Sequence, residues 1–530
     1  MNTATRQILH IIQAFSGGGA MRAALAAAKY SSELEPRYRH AILTLSPGIA
    51  SPEGDLLCKE YGVTPVIPRS PADIPLAIEG ADIVQPNWWN CPEMDALFRS
   101  DVPSCRLLGW LHVGGHTPPQ IITEQLVKYL DFTVACSPYT YEAPAIQALS
   151  SDERSARTGM AYGAADFARV EGIAPTPHEG FNVGYIGTVH FLKMHPDYIE
   201  INAPLSIPNL KVVICGGGGA EDELKRQAAA HGMAERFEIR GYVEDIRAEI
   251  SRFDVYGYLL CEDTYAAAEV NLQEVMYAGI PPVVFPYGGI RHLVRHNETG
   301  LVVHSPEDYR RAIEFLYNNP AERKRIGDNA ARYAREVFGA RNAARILNSY
   351  YDRLLDEPKR TREWGYDSRK ERALQPPLPH SAATASGAER FIESMGSTTD
   401  ACYDFLLSML SEDLGEVLEA EIRIRNKSEL MKSGGVLPYR RAYQTDPHLN
   451  LWSGLMLASE GKFPDALTCL TNALNLGLGH WRVVWYLAET ASRAGERIIA
   501  ANALQKVLEL NPGYLPATTL LATLRTSPAN

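Results

Sequence analysis

The sequence predicts an α/β protein of two doubly wound, Rossmann-like domains facing across a cleft, followed by an all-α domain of helical repeats. Three observations predict it. Short apolar strands alternate with helical stretches over residues 1–165, the alternation restarts near residue 181, and only helical periodicity is left after residue 396. Strands that alternate with helices build parallel sheets covered on both faces. Two such sheets leave a crevice at the carboxyl ends of their strands, where ligands bind.

The first strand is "QILHIIQAF", followed by the turn "SGGG" and the helix "AMRAALAAAKYSSEL". The strands "YRHAILTLS", "VTPVIP", "ADIVQPN", "SCRLLGWLHV" and "FTVACS" complete the first sheet. The second begins with "FNVGYIGTV" and continues with "LKVVICGGGG", its helix "AEDELKRQAAAHGM", and the strands "RFEIRGYV", "FDVYGYLL", "IPPVVFPYGG" and "TGLVVHS". Residues 309–355 read as closing helices, and 356–395 have the charge-, Pro- and Ser-rich composition of a linker. The boundaries are therefore 1–165, 166–355, 356–395 and 396–530.

In the last region, Ala466, Leu470 and Ala473 recur as Ala500, Leu504 and Val507, thirty-four residues later. Gly454 pairs with Ala488 and Gly461 with Gly495 at the same offset. A thirty-four-residue helix-turn-helix period with small residues at the crossing resembles tetratricopeptide repeats. A degenerate copy is expected at 399–445.

Composition narrows the function. A length of 530 residues calls for two to four domains, and a net charge of -11 argues against a nucleic-acid surface. The eight cysteines form no CxxC pair and no cluster with His at metal spacing, so buried free thiols are expected and no metal site. No stretch approaches the ~20 apolar residues of a membrane span, and no secretory leader is evident. The expected location is the cytoplasm.

Glycines mark the candidate site. Gly17, Gly18 and Gly19 follow the first strand and open a helix, where backbone N–H groups can meet an anion. No GxGxxG with a following acid is present, which argues against a dinucleotide. In "VGYIGTVHFLKMHP" a strand ends at Gly187, and the loop returns Lys193 to the strand tip. A lysine there can neutralise a departing diphosphate. "CGGGGAED" and "GYVEDI" place Gly217, Tyr242 and Val243 in loops whose backbone can read a base. Trp88 and Trp89 end a strand of the first domain and can pack in its core or stack on a sugar.

Taken in order, the strand-loop-Lys segment, "LQEVMYAGIPPVVFPYGG", "HNETGLVV" and "MAYGAADFARV" resemble the retaining family 4 glycosyltransferases of the GT-B fold, over roughly residues 8–355. The resemblance implies an acceptor-side first domain and a nucleotide-sugar second domain, with a UDP- or GDP-sugar as donor and no cofactor. It assigns Glu274 to the ribose hydroxyls, Lys193 to the diphosphate, Gly17–Gly19 to the diphosphate and acceptor side, and His112 to the reacting sugar; Thr188, a donor-loop candidate beside Gly187, stands with Val189 where the family commonly has a basic residue. His116 lies beside it on the acceptor side, with Trp88 and Trp89. The family's first motif glutamate falls on Ala266. Glu269 or Glu262 is then the displaced acid, or Glu269 is simply a helix-start residue. The expected activity is hexosyl transfer from a nucleotide sugar to a glycan, protein, lipid or small molecule, with a protein partner on the repeats. The alternative is a catalytically decayed scaffold that binds a protein.

Overall fold

The computed structural model describes residues 4–15, 18–49, 52–117, 119–191, 193–364, 387–395 and 435–526. The chain divides into two compact units. One comprises Met1–Trp89, Leu97–Thr117 and Glu124–Trp364, the other Asn90–Ala96, Pro118–Thr123 and Gly365–Asn530.

The first unit holds two parallel sheets. The N-terminal sheet contains β1 (Arg6–Ile12), β2 (Tyr38–Thr44), β3 (Thr64–Val66), β4 (Ile83–Trp88), β5 (Leu108–Leu111), β6 (Phe132–Ala135) and β7 (Thr158–Met160). Their order is β3-β2-β1-β4-β5-β6-β7. The second sheet contains β8 (Phe181–Ile186), β9 (Leu210–Cys215), β10 (Phe237–Gly241), β11 (Val255–Tyr258), β12 (Pro282–Val284) and β13 (Leu301–Val302), in the order β10-β9-β8-β11-β12-β13. Every expected strand is present. β7 is an addition, for "TGM" is a three-residue edge strand without an apolar run to betray it. Both sheets reverse direction of winding beside their first strand, between β1 and β4 and between β8 and β11, and such switch points open a crevice.

The interior strands are buried on both faces because helices cover both. In β8, Val183 and Tyr185 are fully buried, and in β11 so are Val255, Tyr256 and Tyr258. The helix Ala340–Leu355 lies against the helix Gly19–Leu34, and its Ala340, Ala343, Leu347, Tyr351 and Leu354 join the core of the first sheet. Polar contacts fix the register. Ser31 Oγ donates to Asn348 Oδ1 at 2.5 Å, and Tyr351 OH donates to Gln85 Oε1 at 2.5 Å. The chain stays packed as far as Trp364, which stacks on Phe98 with ring centroids 5.4 Å apart, while Arg362 Nη2 reaches Asp131 at 2.7 Å.

The second unit is helical. Its helices span Gly387–Glu393, Val436–Ala442, Pro447–Ser459, Phe463–Asn475, Trp481–Arg493, Arg497–Leu510 and Leu515–Thr526. Two antiparallel hairpins, 447–475 and 481–510, start thirty-four residues apart, as the sequence period requires. Gly454 lets the first pair close: a Cβ there would sit 2.7 Å from the Leu470 side chain. Asp446 caps the helix Pro447–Ser459 by accepting from His448 N and Leu449 N. Asn90 donates to Ser394 Oγ at 2.9 Å and accepts from Tyr439 OH at 3.0 Å, so an asparagine far back in the chain is part of this core. The expected degenerate repeat at 399–445 and the linker beyond Trp364 fall largely outside the described residues. Among the described residues no helix is long and apolar enough to cross a membrane, and the seven described cysteines are buried and form no disulfide.

The loops after β8 and β9 touch backbone to backbone. A Cβ on Gly216 (φ +141°) would lie 1.8 Å from Gly187 O. Gly216→Ala is therefore expected to cost about 1–3 kcal/mol, the usual penalty of overpacking, whereas Gly513→Ala, with open space at its Cβ, should stay within about 0.5 kcal/mol. Urea melts of the two variants against the parent check the contrast.

Candidate active site

Glu269 stands at the centre of the second-sheet end of the crevice. It begins the helix Val270–Tyr277 with φ 35° and ψ 76°, a left-handed backbone that a non-glycine residue seldom adopts. Its side chain is nearly enclosed. Oε2 accepts from Tyr258 OH at the end of β11 and meets Lys193 Nζ at 2.9 Å. Lys193 is delivered by a loop stitched to the next strand's exit, with Cys261 N donating to Lys193 O at 2.8 Å. Burial works against the lysine's charge, but Glu269, together with Tyr265 and Cys261, holds the Lys193 pKa above the ordinary value. Glu269 is also the N-cap residue of that helix, and its side chain makes no cap hydrogen bond.

Glu274 lies one turn further on, 5% exposed. Arg169 Nη1 approaches its Oε1 at 3.0 Å. Burial raises the Glu274 pKa, and the positive charges of Arg169 and Arg22 offset part of that. Arg22 comes from the first turns of the helix Gly19–Leu34, so the helix behind the N-terminal glycines and the acid of the second lobe share one electrostatic environment. Gly18 is that helix's N-cap and carries no side-chain cap; Gly17 lies outside the described residues.

The glycine loops serve close approach first. Gly187 N donates to Cys215 O at 3.0 Å, and Val189 N to Gly217 O at 3.1 Å. Thr188 contributes its carbonyl, which accepts from Tyr185 OH at 3.0 Å. The N–H groups of Gly218 and Gly219 donate to the Glu221 carboxylate at 2.9 and 2.8 Å, so an internal acid occupies that part of the loop. Tyr242 projects from the loop after β10 at 68% exposure, and Val243 packs partly against the core.

On the N-terminal lobe, His112 follows β5. Asn87 donates its Nδ2 to Ile11 O and Gln85 O, which turns Oδ1 toward His112 Nε2 at 3.1 Å. Nε2 is thus the protonated nitrogen and Nδ1 the acceptor. Burial, with His10 nearby, pushes the His112 pKa down to about 3, so the ring is neutral at pH 7. His116 stacks on Tyr139 at 4.2 Å and bonds its carbonyl at 2.9 Å. Trp88 is 6% exposed, and Trp89 is partly buried against the core of the first sheet.

Ala266 is 1% exposed, and its carbonyl accepts from Gly289 N at 2.9 Å. A Cβ on Gly288 would lie 2.7 Å from that carbonyl. The position aligned with the first motif glutamate is therefore a packing position, and Glu269 is the acid beside Lys193; Glu262 is exposed. Sequence pattern did not single out Arg169, Tyr258, Asn271 or Gln273. Asn271 Nδ2 donates to Tyr256 OH at 2.8 Å and also to Ile186 O. Gln273 Nε2 donates to Gly163 O at 2.9 Å, joining the two lobes. The alternating tyrosines of "VYGY" were the one available signal, since a buried hydroxyl needs a partner.

Comparison with known proteins agrees with this fold. Residues 172–333 match the family model described as glycosyl transferases group 1. The D-inositol 3-phosphate glycosyltransferase of Corynebacterium glutamicum (strain R) is 29% identical over 161 residues, which cover 28% of this chain and 37% of that protein. The D-rhamnosyltransferase WbpZ of Pseudomonas aeruginosa is 31% identical over 136 residues, 24% of this chain and 35% of its own. The chain thus spans about a third of the length of these two curated relatives. Anabaena Alr3699/HepE in complex with UDP superposes with a TM-score of 0.54 at 17% identity, covering 66% of this chain and all of that one. A glycosyltransferase from Rickettsia africae ESF-5 gives 0.55 at 15%, covering 67% and 99%. The α/β unit has the two-lobed GT-B fold, and its second lobe carries the group 1 segment.

Two stability tests follow from the buried acids. A carboxyl with a raised folded pKa binds protons more tightly in the folded state, so its cost appears as pH rises above the unfolded value and is complete above the folded one. Glu274→Gln should raise the Tm of the unliganded protein at pH 8, with the gain shrinking toward pH 4. Lys193→Ala strips the buried Glu269 of its cation and should cost about 1–3 kcal/mol, part of which Glu269→Gln in the same chain restores; denaturant melts of the single and double variants measure both.

Proposed function

We propose that this chain transfers a hexosyl group from a UDP- or GDP-sugar to an acceptor hydroxyl on a glycan, protein, lipid or small molecule, with retention of anomeric configuration. The observation that carries the reading is the pairing of two buried glutamates with cations at the crevice, Glu269 with Lys193 at 2.9 Å and Glu274 with Arg169 at 3.0 Å. In this reading Glu274 accepts from the two ribose hydroxyls, a strong pairing for a carboxylate. Lys193, the loop at Gly187 and Thr188, and the helix start at Gly18 and Gly19 meet the diphosphate. Gly217, Tyr242 and Val243 border the base. Glu269 takes the place of the acid missing at position 266 and contacts the donor sugar, and His112 Nδ1 accepts from a sugar hydroxyl. His116, Trp88 and Trp89 border the acceptor side. The solved Anabaena protein with UDP-glucose supports UDP-sugars as the first donors to try.

The step breaks the bond from C1 to the diphosphate oxygen and forms a bond from C1 to the acceptor oxygen. The acceptor proton passes to the departing diphosphate, whose extra charge Lys193 and the backbone N–H groups stabilise. The residues named complete this chemistry with neither metal nor cofactor. A nucleotide-sugar substrate supports the reading of a cytoplasmic protein. The two hairpins offset by thirty-four residues support a tetratricopeptide-like domain that engages a protein partner or protein acceptor.

A second reading, a decayed transferase acting as a scaffold, draws on one observation: Ala266 stands in the core where the motif acid belongs. Thermal melts with UDP-, GDP-, ADP- and TDP-sugars separate the two. Binding at a hundredfold excess over Kd stabilises by about 2.7 kcal/mol. One nucleotide is expected to raise the Tm and to lose its effect in Lys193→Ala and Glu274→Ala. No shift with any nucleotide would leave the scaffold reading.

A further inference from the structure

Tyr258 is fully buried at the end of β11. Its ring is stacked on Tyr256, with centroids 5.1 Å apart and planes 15° apart, and leans on Tyr185 at 5.3 Å. These neighbours are themselves anchored. Tyr256 OH donates to Ile186 O at 2.7 Å, and Tyr185 OH donates to Thr188 O at 3.0 Å. The Tyr258 hydroxyl, alone of the three, donates to a side chain, the Glu269 carboxylate.

The choice of oxygen matters. Tyr258 OH and Lys193 Nζ both hold Glu269 Oε2. Two donors on one oxygen, arriving from β11 and from the loop after β8, pin Oε2 between them. The left-handed backbone of Glu269 sets where the side chain starts, and Tyr258 sets where it ends. A phenylalanine would fill the same volume in this apolar core without burying a hydroxyl, so the hydroxyl serves the carboxylate rather than the packing.

We propose that Tyr258 is a positioning residue for glycosyl transfer, aiming the Glu269 carboxylate at the donor sugar while Lys193 shares Oε2. This rests on the reading of the crevice as a glycosyl-transfer site. A contact that is fully made only when the sugar reaches its transition state affects kcat more than KM.

The test is steady-state release of UDP or GDP from whichever nucleotide sugar stabilises the full-length protein. Tyr258→Phe should lower kcat about tenfold with KM for the donor within about twofold of the parent. Added to Glu269→Gln, it should cause no further loss, because it acts through that carboxylate. Tyr309→Phe, which removes an equally buried hydroxyl bonded to Asn202 at 3.0 Å, should leave kcat unchanged. The nucleotide-induced rise in Tm, kept in each variant, shows that each holds a folded donor site. A wild-type kcat in Tyr258→Phe, or a double variant that loses the product of the two single losses, overturns the positioning role alone. A parent protein that neither binds nor turns over any nucleotide sugar overturns the transfer reading together with it.

Discussion

Backbone-to-backbone contact between loops is the constraint on which this crevice depends. Side chains at a handful of positions would hold the loops apart, and glycine removes them. A Cβ on Gly218 would fall 2.5 Å from Val189 O, and one on Gly289 1.8 Å from Ala267 O. Between the lobes, a Cβ on Gly163 would meet Ala268 Cβ at 2.6 Å. With these positions bare, the ends of β8, β9, β11 and β12 converge closely enough for side chains on separate strands to share one small volume. The glycines thus act on ligands mainly through what they let approach.

Crowding of that kind requires each buried charge to have a partner, since an unpaired one is costly. The structure meets the requirement with partners from distant segments. Glu274 faces Arg169 from the connection between the lobes, and Glu269 faces Lys193 from the loop after β8. Burial still raises the Glu274 pKa despite its arginine. The site therefore retains unfavourable electrostatics that packing elsewhere must offset, a familiar tension between stability and function.

Much of the fold was legible because its signal is periodic. Buried strands such as "FNVGYI" and "LKVVIC" read as apolar runs, and the thirty-four-residue offset of the helical hairpins is a direct comparison of letters. β7 was not legible, since three residues at an edge carry no pattern. In the site, Lys193, Glu269 and Glu274 were readable because a charge between apolar segments stands out. Arg169 and Tyr258 were not, because their meaning lies in a partner 105 residues away in one case and in a side-chain hydroxyl inside a strand in the other. The conformation of Glu269 was hidden as well. A left-handed φ is anticipated at glycine or asparagine, and nothing in "AAAEVN" announces it.

The return of the helix Ala340–Leu355 to the N-terminal sheet has a consequence for synthesis. Ser31 and Asn348 touch although 317 residues separate them. At about 5–20 residues per second, a ribosome needs some tens of seconds to pass from one to the other. During that interval the first lobe has exposed the helix face that Ala343, Leu347 and Tyr351 will cover. The second lobe is complete before the first one is. The order in which the chain is made is thus not the order in which its domains close, and the nascent first lobe is the part of this protein with most to gain from a chaperone.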